Sequence, residues 1–381
     1  MYKRNIYLLW GIALLQGMVF YAPVATLYRQ AAGLGIFYIT LIESVSLALT
    51  LLLEIPWGWL ADRMGYQKTV LTCCFLYFVS KLVFWQAEGF FGFLVERILL
   101  SVVCAGLSGV DSSLLFLSCD GENSHRVFGA YENLGQLGLL LAAGIYALWV
   151  GENYRLAAFL TVLSYGAAAV LSLGLQEVKP RSEDKTEASC NFLAVLKKQL
   201  TDPRILLLLL AVGFLNESHQ TITVFLSQLQ YAKVGMSHQA MSVAYVVANL
   251  IALMGGFSAA ICSRIGTKNM GTGLLLMGAV SCFLLGLSTV PIVCVSAVIL
   301  LRLSFSLMQP LHLELQNRQI TGKDRATALS MNAVVMESLG IFLNLLYGRI
   351  AELRLESAML AGAVFCIVGA ILYRCSFSKS E

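Results

Sequence analysis

Residues 5–28 read NIYLLWGIALLQGMVFYAPVATLY, a run without a charged side chain. A second uncharged run, NMGTGLLLMGAVSCFLLGLSTVPIVCVSAVILL, extends from Asn269 to Leu301. Each exceeds the roughly 20 apolar residues that cross a bilayer as a helix. The rest of the chain agrees: of 381 residues, 58% are apolar and 13% charged, against about 45–50% and about 25% in a soluble domain. A soluble core does not hide that excess, so the composition speaks against a secreted disulfide-built protein, a disordered chain and a soluble enzyme. The basic start MYKR is like that of a signal peptide. Its apolar stretch is too long and lacks an A-x-A-like end, so it reads as a retained first span.

Apolar stretches bounded by charges and by Gly, Pro or Asn predict an all-α membrane protein of twelve spans. They fall near 5–29, 35–58, 69–87, 89–117, 127–150, 155–176, 204–230, 237–262, 270–288, 291–315, 327–348 and 356–374. An even number puts both termini on one side. Lys3, Arg4, Arg63, Lys68, Arg126, Lys179, Arg181, Lys185, Lys197, Lys198, Arg204, Arg264, Lys268, Arg318, Lys323, Arg325, Arg374 and Lys379 fall on that side, against Arg29, Arg155, Lys233, Arg349 and Arg354 on the other. Basic loops stay in the cytoplasm, so both termini and the longest loop are expected there. The net charge of +4 gives no sign of nucleic-acid binding. Cys73, Cys74, Cys104, Cys282, Cys294 and Cys366 lie in apolar runs without a C-x-x-C pair and read as small buried hydrophobes.

The longest loop holds KPRSEDKTEAS and a short amphipathic stretch, FLAVLKKQL. It predicts a six-helix bundle over 1–176, a linker over 177–203 and a second six-helix bundle over 204–381. A shift of about 200 residues lays Gln16 on Asn216, Gly35 on Gly235, Arg63-x-Gly65 on Arg264-x-Gly266, Arg126 on Arg325 and Asn133 on Asn332, with Arg97 and Arg302 matching at a slightly larger shift. These coincidences in register indicate an internal duplication. Two six-helix halves with a site between them is a construction of many secondary transporters.

The loop after span 2 reads GWLADRMGYQK, Gly58 to Lys68. Here the chain resembles the major facilitator superfamily, whose signature in this loop is G-x-L-a-D-r-x-G-r-k. Gly58, Leu60, Ala61, Asp62, Arg63, Gly65 and Lys68 match in place, while Tyr66 and Gln67 depart; SRIGTK, Ser263 to Lys268, is a degenerate second copy. The resemblance implies a fold of two pseudo-symmetric six-helix bundles. It also implies a conformational latch of Gly58, Asp62, Arg63, Gly65 and Lys68, with Asp62 pairing with Arg126 or facing the N-terminal end of span 11. Arg97 occupies the place of the family's arginine in span 4, with Ser101 where a glycine is usual. The Gly-Pro pair common in span 5 of drug antiporters is missing, and Gly135, Gly138 and Gly144 stand there without a proline.

Ionisable groups inside a membrane cost roughly 2.5–3.5 kcal/mol each on insertion scales, so each asks for a partner or a wet cavity. Glu217 lies in LNESHQT, the densest polar cluster of any span, beside Asn216, Ser218, His219 and Gln220. Spans 1, 4, 7 and 10 line the cavity of the family's fold, which implies Gln16, Arg97, Asp111, Asn216, Glu217, His219, Gln220, Arg302, Gln309 and His312 as its candidate lining. A carboxylate that alternates between an apolar setting and a nearby arginine can take up and release a proton. Glu217 is the first candidate for that role, followed by Asp111 and Glu337. A static pair of Glu217 with Arg97 or Arg302, or direct contact with the solute, are the alternatives. Glu43 and Lys81 match in depth on consecutive spans and are expected to form a structural ion pair. His219 and His312 are candidate proton shuttles or polar lining, Pro310 marks an expected bend, and Phe20, Tyr21, Tyr28, Phe225 and Tyr245 could stack on an organic solute.

No G-x-x-x-x-G-K-[ST], H-E-x-x-H or G-x-S-x-G occurs, and no cofactor or metal is expected. The sequence therefore reads as a monomeric secondary transporter that moves a small-molecule substrate by alternating access, coupled to protons, among the lipids of a bacterial-type cytoplasmic membrane. Export of an amphipathic compound is the first reading. Proton-coupled uptake of an anionic nutrient, suggested by Arg97 and Arg302, is the second, and a membrane-embedded enzyme or lipid flippase is a remote third.

Overall fold

The computed structural model describes residues 3–119, 124–178, 202–319 and 325–378. Among them no strand occurs, and twelve helices are long and apolar enough to cross a bilayer. They are α1 (Lys3–Ala31), α2 (Ile36–Met64), α3 (Tyr66–Gln86), α4 (Gly89–Ser118), α5 (Arg126–Val150), α6 (Tyr154–Ser172), α7 (Pro203–Lys233), α8 (His238–Ile265), α9 (Thr267–Leu287), α10 (Pro291–Arg318), α11 (Ala328–Leu353) and α12 (Leu355–Phe377).

The differences from the expected spans lie at their ends. Most of GWLADRMGYQK is helix, because α2 continues through Asp62 and Arg63 to Met64 and the turn is confined to Gly65 at φ +89°. α8 likewise continues to Ile265 before Gly266 at φ +77°. Charged residues end an apolar run without ending the helix, whose backbone bonds persist into water. Both reversals use a left-handed conformation that glycine alone adopts cheaply. Most of the expected linker, with its amphipathic stretch and Lys179, Arg181, Lys185, Lys197 and Lys198, lies outside the described residues, as do Lys323 and Lys379.

Several spans are interrupted. α1 is helical from Lys3 to Gly17 and resumes through a 3-10 turn, Ala22–Val24, into Ala25–Ala31. The backbone groups freed by this break find partners on α6. Ser164 donates to Leu15 O at 2.5 Å, Tyr165 donates to Gln16 O at 2.6 Å, and Phe20 N donates to Thr161 Oγ1 at 3.0 Å. A break inside a bilayer survives only with such satisfaction. α7 turns π-helical over Gln220–Leu226, α4 breaks between Leu107 and Val110 around left-handed Gly109, and α8 tightens to a 3-10 turn over Leu253–Phe257. α10 remains helical through Pro310.

The chain divides into two compact units, one of Met1–Leu34, Val45–Thr186 and His238–Val243, the other of Gly35–Ser44, Glu187–Ser237 and Ala244–Glu381. In the first, α1 packs on α5 and α6, and α3 packs on α4 and α6. In the second, α7 packs on α11 and α12, and α9 packs on α10 and α12. The second set is the first with every number raised by six, as the internal duplication requires. Ile6, Leu9, Ile12, Leu114, Leu115 and Ala168 form the centre of one apolar core in the first unit. Of the six cysteines expected to be buried, Cys104 is exposed. Facing hydrocarbon costs an apolar thiol nothing, so burial does not follow from an apolar run in a membrane.

Candidate functional site

The polar segment of α7 organises the second unit. Glu217 is buried, and its Oε1 accepts a 2.7 Å bond from Thr221 Oγ1, one turn further along. The Thr221 hydroxyl also lies 3.4 Å from Oδ1 of the buried Asn344 on α11. A Cβ on Gly340 would come within 2.8 Å of Glu217 Oε2, so the carboxylate rests against glycine backbone. Among the described residues Glu217 forms no ion pair. Its expected static partner within this unit, Arg302, points elsewhere: Nη1 lies 3.0 Å from His219 Nε2 and Nη2 donates to Asn249 Oδ1 at 3.2 Å. The guanidinium donates to the imidazole, so His219 holds its own proton on Nδ1. The ring stacks on Phe305 with centroids 3.9 Å apart. Gln309 Nε2 donates to Asn216 Oδ1 at 3.4 Å, and Tyr347 donates to Ser218 Oγ at 2.7 Å.

This arrangement can hold a proton without rebuilding. With Glu217 ionised, Thr221 donates to it. With Glu217 protonated, the carboxyl donates to Thr221 and the hydroxyl turns to Asn344. The π-helical turn Gln220–Leu226 includes Thr221 of this cluster, a position such turns often take at functional sites. Gln220 itself is exposed. His312 is buried and meets the Gln316 side-chain amide at 2.5 Å, so it belongs to a separate pair on α10. Glu337 is half-buried on α11.

In the first unit the charges converge on Lys81. Its ammonium is buried, donates to Tyr21 OH at 3.1 Å, lies 3.7 Å from Glu96 Oε1 and faces the rings of Tyr77 and Tyr165 at 5.1 and 5.3 Å. Within this unit the carboxylate that meets Lys81 is Glu96 on α4, a partner the sequence did not single out. α3 packs against α4, which brings Glu96 alongside, while Glu43, the partner expected from matching depth, is half-buried and falls in the second unit. Arg97 Nε stands 4.0 Å from the same Glu96, at Oε2. Gln16 donates to Cys74 Sγ at 3.4 Å. Asp111 lies past the break in α4, accepting from Tyr131 at 2.9 Å and from Ser112 N at 2.6 Å, which ties it to local structure.

The Asp62–Arg126 pair of the expected latch is not formed. Both side chains are exposed, where a pair gains little. Arg63 stacks over Trp59 at 3.9 Å, Lys68 is exposed, and Gly58 lies inside α2. Glu177, which sequence reasoning passed over, accepts from Gln67 N at 3.2 Å beside Gly65. Thr221 was the legible omission, since an i, i+4 hydroxyl beside a buried acid is a readable pattern. Glu96 stood next to Arg97 in sequence, but no local pattern turns it toward Lys81. Asn249, Asn344 and Phe305 are brought in only by packing.

Comparison with known proteins decides the family. Residues 8–345 match the Major Facilitator Superfamily. The chain belongs to that superfamily. It is a multi-pass membrane protein of the transporter type, and small-molecule transport follows from its family. An uncharacterized MFS-type transporter of Methanocaldococcus jannaschii is 30% identical over 116 residues, which span 30% of each chain. Among solved MFS structures, the fold is similar to a point mutant of the nucleoside transporter NupG, with a TM-score of 0.84, 14% identity and 98% and 100% of the two chains covered. It is also similar to a bacterial homologue of the human lysosomal transporter Spinster, with a TM-score of 0.78, 15% identity and coverage of 99% and 97%.

Proposed function

We propose that this MFS protein is a proton-coupled secondary transporter of a small organic solute, working by alternating access, with Glu217 as the proton carrier. The observation that carries the proposal is a buried carboxylate whose hydrogen-bond partner is a hydroxyl, with no cation in an ion pair. A buried charge in that setting is expensive. A group that is neutral while enclosed and ionises when water reaches it couples proton movement to conformational change. Export of an amphipathic compound is the first reading. Its support is that the guanidinium ends of Arg302 already engage His219 and Asn249, and that Arg97 lies beside Glu96.

A second reading, uptake of an anionic nutrient, draws on one observation. Arg302 Nε is buried without a hydrogen-bond partner, leaving a donor for a carboxylate or phosphate group. The test is a solute panel on proteoliposomes carrying an internal pH dye, with lipophilic cations, neutral amphiphiles, anionic metabolites, nucleosides and dipeptides. A solute that moves protons through the wild type and not through Glu217→Gln is the expected result. Normal proton-driven flux through Glu217→Gln overturns the assignment. Loss of an anion's binding in Arg302→Ala, by thermal shift, selects the second reading.

A further inference from the structure

The first turn of α8, His238–Val243, is docked within the first unit. Side-chain contacts hold it. Ser242 Oγ donates to Ala143 O on α5 at 2.7 Å, and His238 Nε2 lies 2.6 Å from Tyr154 OH at the start of α6. The other imidazole nitrogen, Nδ1, is 3.7 Å from Glu152 Oε1. The His238 and Tyr154 rings meet edge-on, with centroids 5.4 Å apart. Glu152 and Tyr154 also line a 680 Å³ cavity with Tyr28, Glu88, Asn153 and Arg155, so this corner has room for water. None of these groups belongs to the Glu217 cluster.

We propose that His238 is a second proton-binding site, one that fastens the first turn of α8 to the α5–α6 corner when protonated. The hydrogen bond with Tyr154 survives either protonation state, because a phenol both donates and accepts. The added proton changes one contact: it converts Nδ1–Glu152 into an ion pair. That attraction exists only while the turn is docked. Protonation therefore favours the docked state, and by linkage acid at this corner favours it too.

The charges around the imidazole are accounted for. Arg155, the neighbouring cation on α6, is paired with Glu88 at 2.6 Å. Lys233, five residues before His238, is paired with Glu356. Tyr28 packs its ring on Tyr154 at 6.0 Å, and the π-helical end of α5 contributes the buried Tyr146 hydroxyl, which has no hydrogen-bond partner. Glu152 remains as the anion facing His238. Its side chain is 89% exposed, so the fastening is a graded bias and not an all-or-none lock.

The test is amide hydrogen exchange by mass spectrometry on the full-length protein in lipid nanodiscs at pH 5.5 and 7.5, with rates corrected for the intrinsic effect of pH. Corrected exchange across residues 238–245 is expected to be about 1.5- to 5-fold slower at pH 5.5. His238→Gln and Glu152→Gln each remove the difference, and Tyr154→Phe raises exchange at both pH values. Unchanged protection of α9 certifies that each variant is folded. Equal corrected exchange at the two pH values in the wild type, or a difference that persists in His238→Gln, overturns the proposal. Glu217→Gln is expected to keep the full pH difference, so this inference and the proton-carrier reading fail independently.

Discussion

Glu217, Thr221 and Asn344 form a three-member chain in which one hydroxyl serves both protonation states of the acid. Thr221→Val removes that hydroxyl at nearly constant volume. It is expected to slow proton-driven flux while leaving solute counterflow closer to normal, a split that proteoliposome assays read directly. Gly340→Ala places a methyl group against the Glu217 carboxylate and is expected to impair the same proton-driven step. Lys81 makes a different prediction. Lys81→Met leaves Glu96 buried without its ammonium, and breaking a buried pair costs about 3–5 kcal/mol. The melting temperature in detergent should fall sharply, and adding Glu96→Gln should recover part of it. A Lys81→Met protein as stable as the wild type would remove the pair from the list of structural supports. These partnerships were only partly legible in the sequence. Glu217 and Lys81 stand out as charges in apolar runs, but which group each meets depends on the rotation and neighbours of its helix.

At the scale of elements, the crossing of α1 and α5 depends on glycine. A Cβ on Gly17 would collide with the backbone of Gly135, and one on Gly138 with the carbonyl of Leu14. Small residues let membrane helices approach this closely. Gly138→Val should therefore push the helices apart and cost about 1–3 kcal/mol, visible as reduced monodisperse yield in fluorescence-detected size-exclusion chromatography. The sequence presented these span-5 glycines only as a missing Gly-Pro pair; their packing role belongs to the close crossing. The break in α1 gives a milder prediction. Tyr165→Phe removes the donor to Gln16 O, and interhelical bonds in membranes are worth about 0.6 kcal/mol on average. A small drop in melting temperature is expected.

At the scale of the whole molecule, the two units repeat one packing scheme, and the interruptions of α1 and α7 fall at matching places under the shift of about 200 residues. Duplication preserved the helix partners while the charges diverged: the first unit centres on a lysine and the second on a glutamate. The basic residues at the helix ends give a prediction that concerns the molecule and its membrane together. Tags on the N- and C-terminus should both be cleaved by protease only from the cytoplasmic side, and a cysteine at Asn153 should react with impermeant thiol reagents only from the outside. Opposite labelling would invert the expected orientation and the sidedness of the His238 site with it.

By itself the sequence determined the twelve spans, the duplication and the position of the polar cluster on α7. These are local properties: a bilayer demands uninterrupted apolar length, and a repeat shows as register. Only the tertiary structure decided that Glu96 meets Lys81, that Arg302 meets His219 and Asn249, and that Glu217 is left with a hydroxyl. Apolar runs fix how deep a residue sits. The direction it faces follows from helix rotation and from which helix lies alongside, and for a buried charge that direction decides its partner.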